Sequence, residues 1–81
     1  MTVTVHLFAA AQDAIGSPTV TVDLPTGATV AHLRTTLTGR FPKLGSLLSR
    51  SAVAVNQEYA DDSVVISPGD ELAVIPPVSG G

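Results

Sequence analysis

Hydrophobic and polar residues alternate along three stretches of the chain, with the period expected of β-strands that bury one face. The stretches are residues 2–7, 19–24 and 71–75, and in each of them every second position is a valine or a leucine. The first two are close in sequence and predict an antiparallel hairpin with a long turn. Two shorter apolar runs, residues 52–55 and 64–66, predict further extended segments.

A different spacing follows the second predicted strand and is typical of an amphipathic helix. Its apolar stripe consists of Val30, Leu33, Leu37 and Phe41. Thr29 is placed to act as the N-cap, and Pro42 ends the helix because the residue before a proline is disfavoured in helical conformation. A short helical or turn segment, closed by Gly16, is predicted at residues 9–15, and a second short helical turn around residues 44–48.

The order of these elements is two strands, a main helix, and then two or three short strands. A helix packed on one face of a mixed sheet defines the α+β class, and this order favours the β-grasp, ubiquitin-like arrangement. In that arrangement the last strand lies centrally beside the first. We therefore predict one β-grasp domain over residues 1–75, followed by an extended tail over residues 76–81.

Composition narrows the classes of function. The chain is 44% hydrophobic and 14% charged, with a net charge of −3 and no cysteine. An acidic protein without clustered Lys or Arg is not expected to bind nucleic acid, and no apolar run is long enough to span a membrane. The absence of cysteine excludes disulfides and a thiol nucleophile and fits a cytoplasmic protein.

Candidate catalytic groups are few. His6 and His32 are the two histidines, and neither has a carboxylate or a second histidine at metal-ligand spacing, so no metal site is expected. The acidic pairs at residues 61–62 and 70–71 lie beside turn residues, where carboxylates are usually solvated. The pattern therefore predicts no catalytic site within the chain.

An apolar patch is expected on the sheet face opposite the helix. If Val5 and Leu7 point to the core, Phe8 points away from it, and Ile75 does the same on the last strand. Tyr59, from the intervening loop or strand, is expected to join them. Exposed apolar clusters of this kind mark partner-binding surfaces, whereas the alternative is three separate surface side chains.

The last six residues carry the most specific functional signal. They are Pro76, Pro77, Val78, Ser79, Gly80 and Gly81. Two prolines stiffen the exit from the last strand, and two glycines leave the terminal carboxylate without side-chain hindrance. Fully extended, the tail reaches at most about 20 Å, enough to enter the active site of another protein. Frayed termini are common, so a tail without function is the plain alternative.

Three segments together resemble the small, sulfur-carrier subunits of molybdopterin synthases, within the ubiquitin-like sulfur-carrier family. They are Val55-Asn56-Gln57, Gly69-Asp70-Glu71 and the Pro-Pro-Val-Ser-Gly-Gly ending. Leu7-Phe8-Ala9 followed by Gly16 also resembles the first strand and turn of that family.

The resemblance implies a carrier without catalytic activity of its own and without a bound cofactor. An ATP-dependent activating enzyme would adenylate the carboxylate of Gly81, with Gly80 giving access, and a sulfur donor protein would convert it to a thiocarboxylate. The tail would then enter the large synthase subunit and give its sulfur to cyclic pyranopterin monophosphate. Phe8, Tyr59 and Ile75, with Pro76, Pro77 and Val78, would make the docking contacts.

Two alternatives stay open at this point. One is a related β-grasp carrier that supplies sulfur for thiamine or cysteine synthesis, or that is conjugated to proteins. The other is a ubiquitin-like interaction module with an inert tail.

Overall fold

The computed structural model describes residues 1–77, which form five strands and three α-helices. Val78, Gly80 and Gly81, three of the predicted site residues, lie outside the described residues. The elements in chain order are β1 (Thr2–Leu7), α1 (Ala9–Ile15), β2 (Thr19–Asp23), α2 (Val30–Arg40), a 3₁₀ turn (Pro42–Leu44), α3 (Gly45–Leu48), β3 (Ala52–Val55), β4 (Glu58–Ala60) and β5 (Leu72–Ile75).

The strands form one mixed sheet in the order β2-β1-β5-β3-β4. The β1–β2 pair is antiparallel, as predicted, with Thr2 opposite Asp23 and His6 opposite Thr19. The last strand, β5, is parallel to β1 and antiparallel to β3, so it is the central strand. The prediction that the last strand lies centrally beside the first is therefore confirmed.

The main helix forms where the spacing predicted it. The Thr29 side chain accepts a hydrogen bond from the backbone N–H of His32 at 3.4 Å, which satisfies one of the free donors of the first turn. The helix ends at Arg40, and Pro42 begins the 3₁₀ turn. Leu33 and Leu37 are fully buried, and they fix the orientation of α2 against the sheet.

The core is aliphatic, as the scarcity of aromatic residues requires. Strands β1, β2, β3 and β5 each contribute residues to it, including Val5, Val22, Val53 and Val74. The buried polar residue among the described positions is Ser51, whose hydroxyl donates to the backbone oxygen of Leu47 at 2.7 Å. A main helix held against a mixed sheet in this strand order is the ubiquitin-like β-grasp fold.

Three predicted elements differ from the structure in detail. For residues 58–60 the sequence allows either a loop or a strand; the structure shows strand β4, which only the pairing with β3 defines. The extended segment at residues 64–66 is not a strand of the sheet and makes one isolated bridge, between Val65 and Thr29. The last strand begins at Leu72, one residue later than predicted, because Glu71 belongs to the preceding turn region.

Candidate functional site

The helices cover one face of the sheet, and the opposite face, here called the outer face, is open to solvent. Across its middle, four residues lie in register on neighbouring strands: His6 opposite Ala73, Ala73 opposite Ala54, and Ala54 opposite Tyr59. The two central positions are therefore alanines and the two flanking positions carry rings. A depression results at the centre of this row, where the side chains are shortest.

This depression, the apolar hollow, has a volume of about 300 Å³. Its lining residues are Phe8, Ala54, Gln57, Tyr59, Glu71, Ala73 and Ile75. The two alanines form its floor and the larger side chains its walls. Strand β5 passes through it, so the hollow lies directly beside the strand from which the C-terminal segment leaves.

The structure brings the three residues of the predicted patch together around this hollow. Tyr59 is 77% exposed and Phe8 is 49% exposed, high values for aromatic side chains on a small domain. Ile75 is half-buried. Phe8 does not belong to β1 but is the extended N-cap residue of α1, which turns its ring out of the core. That this surface binds a partner stays a prediction.

The two prolines after β5 have different surroundings. Pro76 is buried, whereas Pro77 is exposed. Proline cannot donate to a strand ladder, so β5 ends at Ile75. Pro76 thus packs with the domain, and Pro77 is the first exposed residue beyond it.

Asn56 connects two of the segments that carry the family resemblance. Its side-chain Oδ1 accepts from the backbone N–H of Glu71 at 2.9 Å, and its Nδ2 donates to Oδ1 of Asp70 at 3.0 Å. Its backbone N–H also donates to the backbone oxygen of Glu71 at 2.7 Å. We call this set the Asn56 clamp. It fixes the β3–β4 turn to the residues that lead into β5.

The turn itself requires unusual backbone angles. Asn56 and Gln57 have φ values of +52° and +69°, and they form the two-residue loop of the β3–β4 hairpin. Two consecutive positive φ values are typical of a type I′ turn, which matches the twist of the paired strands. Asn adopts this conformation more readily than most residues, whereas Gln does so at a cost.

Two carboxylates are held by local hydrogen bonds. The pKa of Asp70 is lowered, first by the backbone N–H of Ser67, which donates to its Oδ2 at 2.8 Å, and then by Asn56. The pKa of Asp61 is also lowered, mainly by the hydroxyl and backbone N–H of Ser63. Both carboxylates are at the surface and stabilise turns, as predicted for these acidic pairs.

The remaining candidate groups also have structural surroundings. Asp62 pairs with the guanidinium Nε of Arg34 at 2.9 Å, and the same guanidinium donates to the backbone oxygen of Leu48. His32 is exposed and His6 is half-buried on the outer face. Over residues 1–77, no three acidic, histidine or cysteine side chains come together as metal ligands. In the same range, no helix has the length and apolar character to cross a membrane.

The comparison with protein families gives one match, to the ThiS family, over residues 5–81. The chain belongs to the ThiS family. The match covers the second half of β1, all the later strands and helices, and the C-terminal residues, so the candidate site lies within it.

Individual relatives support this assignment. This ThiS family chain is 42% identical, over 95% of its length and 80% of the relative's, to the molybdopterin synthase sulfur carrier subunit of Arabidopsis thaliana. Its structure is similar to SAMP1, a small archaeal modifier protein of Haloferax volcanii, with a TM-score of 0.89 and 36% identity over both full chains. A complex of subunits 1 and 2 of the molybdopterin-converting factor from Helicobacter pylori contains the same fold, with a TM-score of 0.71 and 24% identity over both full chains.

Sequence reasoning missed several residues of the site. Ala54 and Ala73 form the floor of the hollow, and Gln57 and Glu71 lie at its edge. Alternation along β5 placed Ala73 on the outer face, but no local signal showed that Ala54 lies beside it. Only the register between β3 and β5 brings the two alanines together.

Proposed function

We propose that this chain is the sulfur-carrier subunit of molybdopterin synthase and carries sulfur as a thiocarboxylate on Gly81. The observation that carries the proposal is the similarity to the Arabidopsis sulfur carrier over 95% of this chain, together with a family match that continues to Gly81. The Gly-Gly ending is the chemical feature on which such a carrier depends.

The proposed chemistry begins with a carboxylate that is a poor electrophile. An ATP-dependent activating enzyme joins the Gly81 carboxylate to AMP and releases pyrophosphate, which supplies a leaving group. Sulfur from a donor protein then attacks the acyl carbon, and the C–S bond forms as the bond to AMP breaks. Sulfide gives the thiocarboxylate directly, whereas a persulfide donor gives an acyl disulfide that a thiol reductant must cleave to the thiocarboxylate. In the final step the sulfur passes to cyclic pyranopterin monophosphate, and water restores the Gly81 carboxylate. Because a dithiolene contains two sulfur atoms, two such transfers build the dithiolene of molybdopterin.

The described residues support a carrier role through the position of β5. This central strand is paired on both sides, so the residues that follow it leave from a rigid support. Docking of the domain would hold the thiocarboxylate next to its acceptor, and such positioning raises the effective concentration of the reacting groups. Buried Pro76 would keep the direction of departure fixed.

The outer face is the proposed contact with the large synthase subunit. Phe8, Tyr59 and Ile75 present apolar surface around the hollow, beside the strand that leads to the tail. The Helicobacter complex shows that a protein of this fold assembles with a second subunit. ATP is used by the activating enzyme, and the carrier itself needs no bound cofactor.

Intact-mass analysis tests the carrier chemistry directly. After incubation with ATP, a cognate activating enzyme and a sulfur source, the chain should gain the mass of one oxygen-to-sulfur exchange, located on Gly81. A variant lacking Gly80 and Gly81 is the matched control and should gain none. A wild-type chain that stays unmodified with any cognate activating enzyme would contradict the proposal.

A second candidate function is conjugation to other proteins. The observation that favours it is the close structural match to SAMP1, a small archaeal modifier protein. In this case the activated Gly81 carboxylate would form an amide with a lysine of a target. Conversion of the cyclic pterin by the thiocarboxylated chain and a large synthase subunit supports the first function. Gly81-linked amide adducts in cells, lost when the last two residues are deleted, support the second.

A further inference from the structure

Basic and acidic residues occupy separate parts of this chain. All four basic residues lie between Arg34 and Arg50, within the helical segment or just after it, while all seven acidic residues lie outside residues 24–57. The strands therefore carry no Lys or Arg. Around the apolar hollow, Glu71 is the charged side chain and the other lining residues are apolar or neutral. Charge complementarity therefore favours a partner with a basic residue beside its contact with the hollow.

Glu71 is the acidic residue nearest to the proposed contact, because it borders two hollows on the outer face. It lines the apolar hollow and also a neighbouring polar hollow of about 320 Å³, which Thr4, His6 and Asp70 line as well. The two hollows are thus adjacent on the outer face and share one carboxylate. A partner side chain seated in either hollow would therefore lie beside Glu71.

The two neighbouring carboxylates differ in availability. Both oxygens of Asp70 are engaged, one by the Asn56 side chain and one by the backbone N–H of Ser67. The Asn56 clamp holds Glu71 through its backbone N–H and oxygen only, which leaves its carboxylate exposed and without a hydrogen bond to any group of residues 1–77. Glu71 is therefore held in place by its main chain and has its charge available to a partner.

The size of the apolar hollow restricts what it accepts. A volume of about 300 Å³ is at the lower limit of small-molecule pockets, which span roughly 300–1,000 Å³, and the hollow is open on the solvent side. Its floor of Ala54 and Ala73 creates the depth, because any longer side chain at either position would fill it. These features fit one protruding apolar side chain of a protein partner better than a buried metabolite.

We propose that the outer face recognises a two-part element of its partner: an apolar side chain seated between Tyr59 and Ile75 on the alanine floor, and an adjacent Lys or Arg paired with Glu71. The proposal rests on the proposed function for the identity of the partner, the large synthase subunit. The further inference adds the chemistry of the contact, and it assigns recognition of the partner to Glu71 and Ala73.

The test compares charge reversals on the two faces of the sheet. Glu71→Lys changes the outer face, whereas Glu58→Lys makes the same change in net charge on β4. Glu58 is opposite Val55, which packs against the core, so its side chain lies on the other face from Tyr59. Affinity for the purified large subunit is measured by calorimetry at low and high salt, with thermal unfolding as the folding control.

We expect Glu71→Lys to weaken binding by about tenfold at low salt and to remove most of the salt dependence, because a rim charge steers association and is screened by ions. The affinity of Glu58→Lys should stay within about twofold of wild type, because this exposed side chain lies on the face opposite the proposed contact. Ala73→Leu should also lose about tenfold or more by filling the hollow, whereas Thr21→Leu, elsewhere on the outer face, should not.

Other outcomes separate this inference from the proposed function. Equal effects of the two charge reversals, unchanged affinity of Glu71→Lys, or no binding of the wild-type chain to the large subunit would each overturn the inference. Failure of Gly81 to become a thiocarboxylate, with the expected binding pattern intact, would overturn the carrier chemistry and leave the recognition surface standing.

Discussion

The Asn56 clamp should contribute measurably to stability, and its side-chain and backbone parts can be separated. Replacing Asn56 with Ala removes two side-chain hydrogen bonds, to the backbone N–H of Glu71 and to the carboxylate of Asp70. At an exposed site each is worth about 0.5–1 kcal/mol. The φ of +52° at this position increases the loss of stability by about 1 kcal/mol, because alanine is less stable than asparagine in the left-handed region.

The sum for Asn56→Ala is therefore a loss of about 2–3 kcal/mol in the free energy of unfolding. In a domain of this size, this corresponds to a fall of about 10–20 °C in Tm. Asn56→Gly loses the same two hydrogen bonds but tolerates positive φ, so it should lose only about 1–2 kcal/mol. The difference between the two variants measures the backbone contribution.

Urea denaturation followed by circular dichroism gives both free energies, with the m-value as a check that the variants unfold in the same way. The clamp would be refuted as a stabilising device if both variants stayed within about 0.5 kcal/mol of wild type. A larger loss for Gly than for Ala would refute the conformational part of the reasoning alone.

Three further changes test other parts of the structure. Gln57→Gly should raise the free energy of unfolding by about 1 kcal/mol, because glycine adopts the φ of +69° without strain; lower stability of this variant in urea would contradict the turn assignment. Leu37→Ala should lower stability by about 2–5 kcal/mol through the cavity it leaves in the core, and a loss under 1 kcal/mol would mean that the site collapses around it. Since the pKa of Asp70 is lowered in the folded state, its contribution should be complete above the unfolded pKa of about 3.9 and be lost as the pH falls through the folded value. The stability difference between wild type and Asp70→Asn should accordingly shrink in acid, and a difference that is constant with pH would argue against the hydrogen bonds from Ser67 and Asn56.

The contrast between β4 and the other strands shows where prediction from sequence ends. Strands β1, β2 and β5 were evident from alternation, since each buries every second residue against the core. Residues 58–60 lack that pattern because β4 is only three residues long and lies at the margin of the core, with Glu58 and Tyr59 both exposed. Its existence depends on hydrogen bonds to β3, which no property of the segment itself reveals.

The candidate site divides in the same way. The outward direction of Phe8 and Ile75 could be predicted, because it depends on their position relative to buried neighbours in the same strand or turn. The alanine floor could not, since Ala54 and Ala73 are 19 positions apart in sequence and meet only through the β3–β5 register. The two segments joined by the Asn56 clamp could each be identified by their resemblance to the sulfur-carrier family. The hydrogen bonds between them could not be predicted from the sequence.

The sequence by itself determined the helix and the main strands, the α+β class, the resemblance to sulfur carriers and the Gly-Gly ending, because each is recorded in local periodicity or in a contiguous motif. The tertiary structure decided the hollow beside β5, the different surroundings of Pro76 and Pro77, and the availability of the Glu71 carboxylate. These depend on which distant segments pair and in what register. That choice follows from the packing of the whole core and not from any single stretch of the chain.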